Sequence, residues 1–290
     1  MTAAPGSDLP IKAIPAVGTV CSLQCDLATI LADYAAGHCD AVDLWLGHAE
    51  RVLEAGSPES LRDLLASSGV KVVAASYQGG LLTADGAAGE AHWELFRHRL
   101  ELCQGLSIPV LVVAGDAFAP LSATDLNAMA ANLAKAAGLA GEGGVKLALE
   151  FDARASFPNN LQSAVALVDQ VGHPALGLCL DWHHFMMGPS KEADLGLLSA
   201  ANLFHVQLSD VADVPREMAS DSERILPGEG SSSPLPLLAR LADIAYEGGV
   251  SVELMNPALW PVPPRQFGEV AMTALRRLLG QADMGNGSGR

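Results

Sequence analysis

The chain has 290 residues, of which 50% are hydrophobic and 17% charged, enough apolar material for a large core and too much for a disordered chain. Thirty-three acidic residues against 17 basic ones give a formal net charge of -16, which excludes a nucleic-acid partner, because a phosphate backbone requires clustered Lys and Arg. No apolar run reaches the roughly 20 residues that a membrane span needs, so no membrane partner is expected.

Met1–Pro10 lacks the basic start and apolar stretch of a secretory signal, and MGNGSGR (Met284–Arg290) reads as frayed linker. One domain over residues 15–281 is expected, with flexible ends at 1–14 and 282–290. From Ala16 onward, short apolar runs alternate with amphipathic stretches. Ala16–Ser22 is the first expected strand, and Asp26 caps a helix that ends near Gly37. Cys39–Leu46 is the second strand, and Ser57-Pro58 opens the second helix through the N-cap and N1 preferences of these residues. Val70–Tyr77 is the third strand, followed by a loop at Gly79-Gly80.

A long helix is expected over Gly89–Leu106, where Trp93, Phe96, Leu100 and Cys103 recur three or four residues apart. Ile108–Gly115 is the fourth strand and Asp125–Ala140 the fourth helix. Lys146–Phe151, Leu176–Asp181, Leu203–Asp210 and Gly249–Leu254 supply strands five to eight. Helices at Asn160–Val171, Ala193–Ala200, Pro236–Tyr246 and Gln266–Leu279 complete the alternation. Eight such units predict an α/β fold, a (β/α)8 barrel of the TIM type. A doubly wound open sheet is the runner-up, but no G-x-G-x-x-G follows the first strand. The five cysteines, Cys21, Cys25, Cys39, Cys103 and Cys179, are odd in number and lack metal-ligand spacing. They read as reduced core thiols of a cytoplasmic protein.

Side chains at the carboxyl ends of barrel strands converge on one face. Here strand five ends in Glu150, strand six in Asp181, strand seven in Gln207 and strand eight in Glu253. Singly, each residue could merely begin a solvated loop. Together, three carboxylates and an amide form a hard oxygen set that suits Mn²⁺ or Mg²⁺, with Co²⁺ or Zn²⁺ as alternatives.

The segments LALEFD, LGLCLDWHH, FHVQLSD, ERILPGEG and SVELMNP resemble the xylose-isomerase-like barrel superfamily, in particular its sugar phosphate isomerase/epimerase group. That group includes tagatose-type epimerases, hydroxypyruvate isomerases and 3-dehydroshikimate dehydratases. The resemblance implies that Glu150, Asp181, Gln207 and Glu253 are metal ligands. Many members carry histidine at the position of Gln207, whereas the hydroxypyruvate isomerases and dehydroshikimate dehydratases use glutamine. Asp152 also departs from the histidine that relatives often carry there. His184 matches a substrate-contacting histidine, and His183 is expected to point elsewhere.

The resemblance further implies that Glu150 and Glu253 are a catalytic acid/base pair, moving a proton through a metal-stabilised enediolate. Return of the proton to the same carbon gives epimerisation, return to its neighbour gives isomerisation, and loss of a β-hydroxyl gives dehydration of the 3-dehydroshikimate or inosose type. A non-catalytic ligand-binding barrel is the reading from a different class. The expected substrate is a small polyhydroxy carbonyl compound, and the expected assembly a homo-oligomer, dimer or tetramer. Arg224 could hold a phosphate or carboxylate, or pair with Glu223 or Glu229. Arg154 and Arg216 are weaker candidates of the same kind. Trp45 could present a surface to a sugar ring. His205 is a candidate for the substrate side, with a deeper supporting place or a core place as its alternatives.

Overall fold

Continuous apolar runs mark strands buried on both faces, and in the computed structural model, which describes residues 10–282, they form a closed parallel barrel. Of the ends expected to be flexible, residues 1–9 and 283–290 lie outside the described residues. The strands in chain order are β1 (Ile14–Gly18), β2 (Ala41–Trp45), β3 (Lys71–Gln78), β4 (Val110–Gly115), β5 (Lys146–Phe151), β6 (Leu176–Asp181), β7 (Leu203–Leu208), β8 (Asp210–Val211), β9 (Arg224–Ile225) and β10 (Gly249–Val252). The barrel runs β1-β10-β7-β6-β5-β4-β3-β2, and β8 with β9 forms a separate antiparallel ribbon above it.

Helices α1 (Leu27–Ala36), α2 (Leu46–Ala55), α3 (Pro58–Ser68), α4 (Gly86–Gly105), α5 (Ala123–Glu142), α6 (Leu161–Val171), α7 (Trp182–Met187), α8 (Leu235–Asp243) and α9 (Pro264–Leu278) connect the strands. Each large helix turns an apolar stripe inward. On α9, Phe267, Ala271, Met272 and Leu275 are buried at helical spacing. These stripes meet the outward-facing strand residues, including Leu44, Leu111, Leu149 and Leu178, in the main core. A smaller cluster of Ala74, Val110, Val112, Ala148, Cys179 and Phe204 fills the lower barrel interior. Full burial of each Leu or Phe stabilises by about 1.5–3 kcal/mol, so the shell between sheet and helices holds the fold.

Several elements differ from the expectation. Between β2 and β3 the chain forms two helices, broken at Gly56, where Ser57 caps α3 through Ser60 N and Pro58 takes its first position. The first strand ends at Gly18 and passes into a 3-10 turn, Thr19–Ser22. After β6, the Asp181 side chain caps α7 through His183 N, and Gly188-Pro189 ends that helix at once. The expected helix over Ala193–Ala200 is therefore only a 3-10 segment, Glu192–Leu197. The seventh barrel strand stops at Leu208, because Asp210 pairs in the β8–β9 ribbon instead.

A buried hydroxyl and imidazole clip the ends of β1 and β2 together. Thr19 Oγ1 accepts Trp45 N–H (2.8 Å) and lies 3.1 Å from His48 Nδ1. His48 Nε2 lies 3.4 Å from Leu23 O, so a neutral ring with its proton on Nε2 satisfies every partner. Burial pushes His48 down to about 4. Above the ordinary histidine value of 6.5, folded and unfolded chains are both neutral here and the group has no effect. Between 6.5 and about 4, only the unfolded chain takes up the proton, so stability falls with pH. On acidification from neutral to pH 4, urea unfolding of the native chain should lose up to about 3 kcal/mol more than that of His48→Gln. Parallel losses would contradict this clip.

Candidate active site

Alternation along each strand sends every second side chain into the barrel. On β5 this places Ala148 in the lower layer and Glu150 above it. On β6 the pair is Cys179 and Asp181, and on β7 His205 and Gln207. Ser251 of β10 pairs in register with Gln207, and Glu253 follows directly, its N–H bonded to Leu208 O at 3.0 Å. Four successive barrel strands thus deliver Glu150, Asp181, Gln207 and Glu253 to the carboxyl-end mouth.

Arg224 lies among them from above, carried in by the β8–β9 ribbon, and is only 1% exposed. Its Nη1 is 2.7 Å from Asp181 Oδ2 and 3.4 Å from Glu253 Oε2, and its Nε is 2.9 Å from Asp221 Oδ1. Burial would raise the Asp181 carboxyl, but Arg224 and the neighbouring histidines outweigh it and hold it down at about 2. Glu150 is pushed well above the ordinary carboxylate range, first by burial and then by the charge of Asp181. Glu253 is raised by burial too, with Arg224 offsetting part of the effect. The site thus holds one firmly ionised aspartate and two glutamates that retain protons more readily.

His184 on α7 completes the cluster. Its Nε2 is 3.6 Å from Glu150 Oε1 and 3.8 Å from Asp181 Oδ2, while Nδ1 accepts the Ala153 N–H at 3.4 Å. Burial lowers its basicity, which favours the neutral ring. One atom each from Glu150, Asp181 and His184 lies within 4.8 Å of the others, a spacing that suits one cation held by the two carboxylates, since Nδ1 accepting from Ala153 leaves the ring proton on Nε2. Asp181 Oδ2 is buried without a well-aligned hydrogen bond despite its closeness to Arg224, so the oxygen keeps a lone pair open to a metal.

Beneath this layer is a polar floor that the sequence reading missed. Asp43, in the middle of β2 and 3% exposed, accepts from Ser76 Oγ at 2.8 Å, Gln207 Nε2 at 3.2 Å and Ser251 Oγ at 3.2 Å, and meets His205 Nε2 at 3.0 Å. Burial alone would raise its carboxyl, but His205 and these hydrogen bonds bring it below the ordinary range. Gln207 Nε2 also donates to Glu253 Oε1 at 3.1 Å, while its oxygen accepts from Cys179 Sγ at 3.2 Å. The signal for Asp43 was an acid inside the apolar run CDAVDLWL, on the inward alternation.

The structure brings Glu150, Asp181, His184, Gln207, Glu253 and Arg224 together. It does not place His205 on the substrate side: that ring is fully buried one layer below Gln207 and engaged with Asp43 and Ser251. Trp45 packs on α2, edge-on to His48 at 5.0 Å and under Arg51, so its ring forms rim wall. His183 is buried beside the cluster, its ring centroid 5.7 Å from that of His184 and its charge neighbours Arg224, Asp181 and Asp221. Arg224 pairs with Asp181, Asp221 and Glu253, whereas Glu223 caps Ser220. Arg216 donates to Met187 O, and Arg154 is exposed.

A closed (β/α)8 barrel with acids at the carboxyl ends of its later strands defines a class of protein, and residues 32–277 match one family of that class. The chain belongs to the xylose isomerase-like TIM barrel family. It is 35% identical over 115 residues to an inosose isomerase of Halalkalibacterium halodurans, covering 39% of this chain and 41% of that protein. It is 30% identical over 142 residues to a 3-dehydroshikimate dehydratase of Pseudomonas putida, covering 48% and 22%. The alignments therefore span less than half the length of these relatives. Among solved structures, the IOLI protein with a bound zinc atom superposes with a TM-score of 0.84 at 20% identity, covering 92% of this chain and 98% of that one. D-psicose 3-epimerase of Clostridium cellulolyticum H10, solved with D-tagatose, gives 0.73 at 17%, covering 92% and 99%. At these identities the likeness is one of fold. No helix among the described residues is long and apolar enough to cross a membrane.

Removing the cation of a buried ion pair strands its carboxylates, typically at a cost of about 3–5 kcal/mol. Arg224→Met should lower the urea-unfolding free energy by about that much in the presence of chelator. Asp221→Asn, at the more exposed end of the network, should cost less than about 1 kcal/mol. Equal effects of the two would refute the central place of Arg224.

Proposed function

We propose that this protein is a divalent-metal-dependent isomerase or epimerase of a small polyhydroxy carbonyl compound. The observation that carries the reading is the convergence of Glu150, Asp181 and Glu253 in one buried mouth, with both glutamates raised and the aspartate ionised. The reading takes Glu150, Asp181 and Glu253 as the carboxylate ligands, with Gln207 as the fourth. Gln207 joins them only through its oxygen, which faces Cys179, so ligation requires a half-turn of the amide. Mn²⁺ or Mg²⁺ suits such an oxygen set, and Zn²⁺ or Co²⁺ is the alternative; zinc is the ion in the IOLI structure. When bound, the cation would polarise the substrate carbonyl and acidify the adjacent C–H.

The chain's own groups handle the proton. Buried glutamates with raised proton affinity are suited to take a proton from carbon and hand one back, so Glu150 and Glu253 are the acid/base pair. Gln207 and Arg224 hold the two oxygens of Glu253 and fix its direction. His184, neutral and facing Glu150, is placed to donate to a substrate hydroxyl or carbonyl oxygen. A second reading, dehydration of an inosose or of 3-dehydroshikimate, is favoured by the likeness to the dehydratase and by glutamine at position 207. It begins with the same abstraction and ends with loss of a β-hydroxyl. The domain at 15–281, the cytoplasmic location and the homo-oligomeric state belong to the same proposal.

After chelator treatment, readdition of Mn²⁺, Mg²⁺, Co²⁺ or Zn²⁺ should restore one bound ion per chain and raise the melting temperature, with Glu253→Ala losing most of the affinity. Incubation with ketoses, inososes and dehydroshikimate in D₂O should then incorporate deuterium at the carbon beside the carbonyl. A new conjugated ultraviolet band would move the assignment to dehydratase. Metal binding without exchange or dehydration on any of them would leave a binding barrel and defeat the enzyme reading.

A further inference from the structure

Barrels that act on phosphorylated compounds commonly hold the phosphate in the loops after the seventh and eighth strands, where backbone N–H groups of a glycine-rich turn converge. This chain has such a turn, PGEGSSS at 227–233, leading into α8. Its donors already have an anion. The Asp210 carboxylate, 1% exposed, accepts on Oδ1 from Val211 N (2.9 Å), Ser232 N (2.8 Å) and Ser232 Oγ (2.9 Å). On Oδ2 it accepts from Gly228 N (3.1 Å) and Gly230 N (2.9 Å). The loop is folded round a carboxylate of its own chain, and a phosphate approaching it would meet that charge.

A phosphate also needs a cation, and the buried one at the mouth is shared among three carboxylates, Asp181, Asp221 and Glu253. Glu150 faces the same edge of His184 as Asp181 does, and Asp152 stands at the opposite ring nitrogen, adding two more carboxylates and no cation. Arg216 is turned to Met187 O through Nε and Nη2, at 3.1 and 2.9 Å. One divalent ion in the mouth would leave the cluster with little positive charge to share. We infer that the substrate carries no phosphate group, and that the site takes an unphosphorylated polyhydroxy ketone. This inference rests on the isomerase reading of the site and narrows its substrate class.

Inorganic phosphate is the direct probe and does not depend on turnover. Titrated into the Mg²⁺-supplied protein, it should give no saturable heat, and the melting temperature should rise no more than in chloride of equal ionic strength. Asp210→Ala empties the loop's donors, and phosphate should then raise its melting temperature by several degrees; if that variant does not fold, the titration of the native chain and the ester comparison below decide alone. Saturable binding by the native chain that Arg224→Met abolishes would overturn the inference, as would a folded Asp210 variant indifferent to phosphate. Deuterium exchange is then compared on a ketohexose and its phosphate ester, with kcat/KM expected to favour the free ketose by about tenfold or more. Equal or faster exchange of the ester would overturn the inference. Exchange on neither would defeat the isomerase reading, while the phosphate titration still decides this one.

Discussion

Carboxylates gathered in a low-dielectric barrel mouth repel one another unless a positive charge lies among them. Here that charge is the Arg224 guanidinium, delivered by a two-residue ribbon strand and locked by Asp221 from outside. The rest of the mouth follows from where it sits. Asp181, nearest to it, stays ionised, and the glutamates farther round the ring are the groups that hold protons. One arginine thereby sorts chemically similar acids into different working states. A metal ion bound by the same oxygens would share the task, since both cations answer the same surplus of negative charge.

Support from below is equally specific. Asp43 gathers donors from β3, β7 and β10, so the floor beneath the mouth is a connected set of hydrogen bonds instead of hydrocarbon. Through Gln207 this floor reaches Glu253, which connects the orientation of a mouth residue to an acid two strands away round the barrel. Above, Asp210 organises the loop after β9 in the same manner, with a buried acid collecting backbone N–H groups.

Much of this was legible in the sequence because barrel strands advertise themselves. Uninterrupted apolar runs such as KLALEF and LGLCLD, each ending in or beside an acid, place Glu150 and Asp181 on one face by their pattern alone. Less legible was whatever depended on contacts between distant segments. Nothing near Arg224 in sequence singles out Asp181, 43 positions away, over adjacent Glu223, and only the ribbon pairing of Val211 with Arg224 turns the guanidinium downward. His205 stands two residues before Gln207 on the same face, so its depth could be read only from the register that sets it beside Cys179. The short α7 and the 3-10 segment after it failed the periodicity argument because Gly188-Pro189 leaves too little chain for a regular helix.

The Asp43 floor bears on how such a barrel can be hardened against heat. The usual remedy, replacing interior polar groups with close-packed aliphatic ones, is open in the lower layer, where Val110, Val112 and Phe204 already touch. One layer higher, the same repair would strip Gln207 and His205 of their acceptor. Durability and reactivity therefore draw on the same few atoms in that layer, and sturdier descendants of this chain must gain their stability from the helical shell.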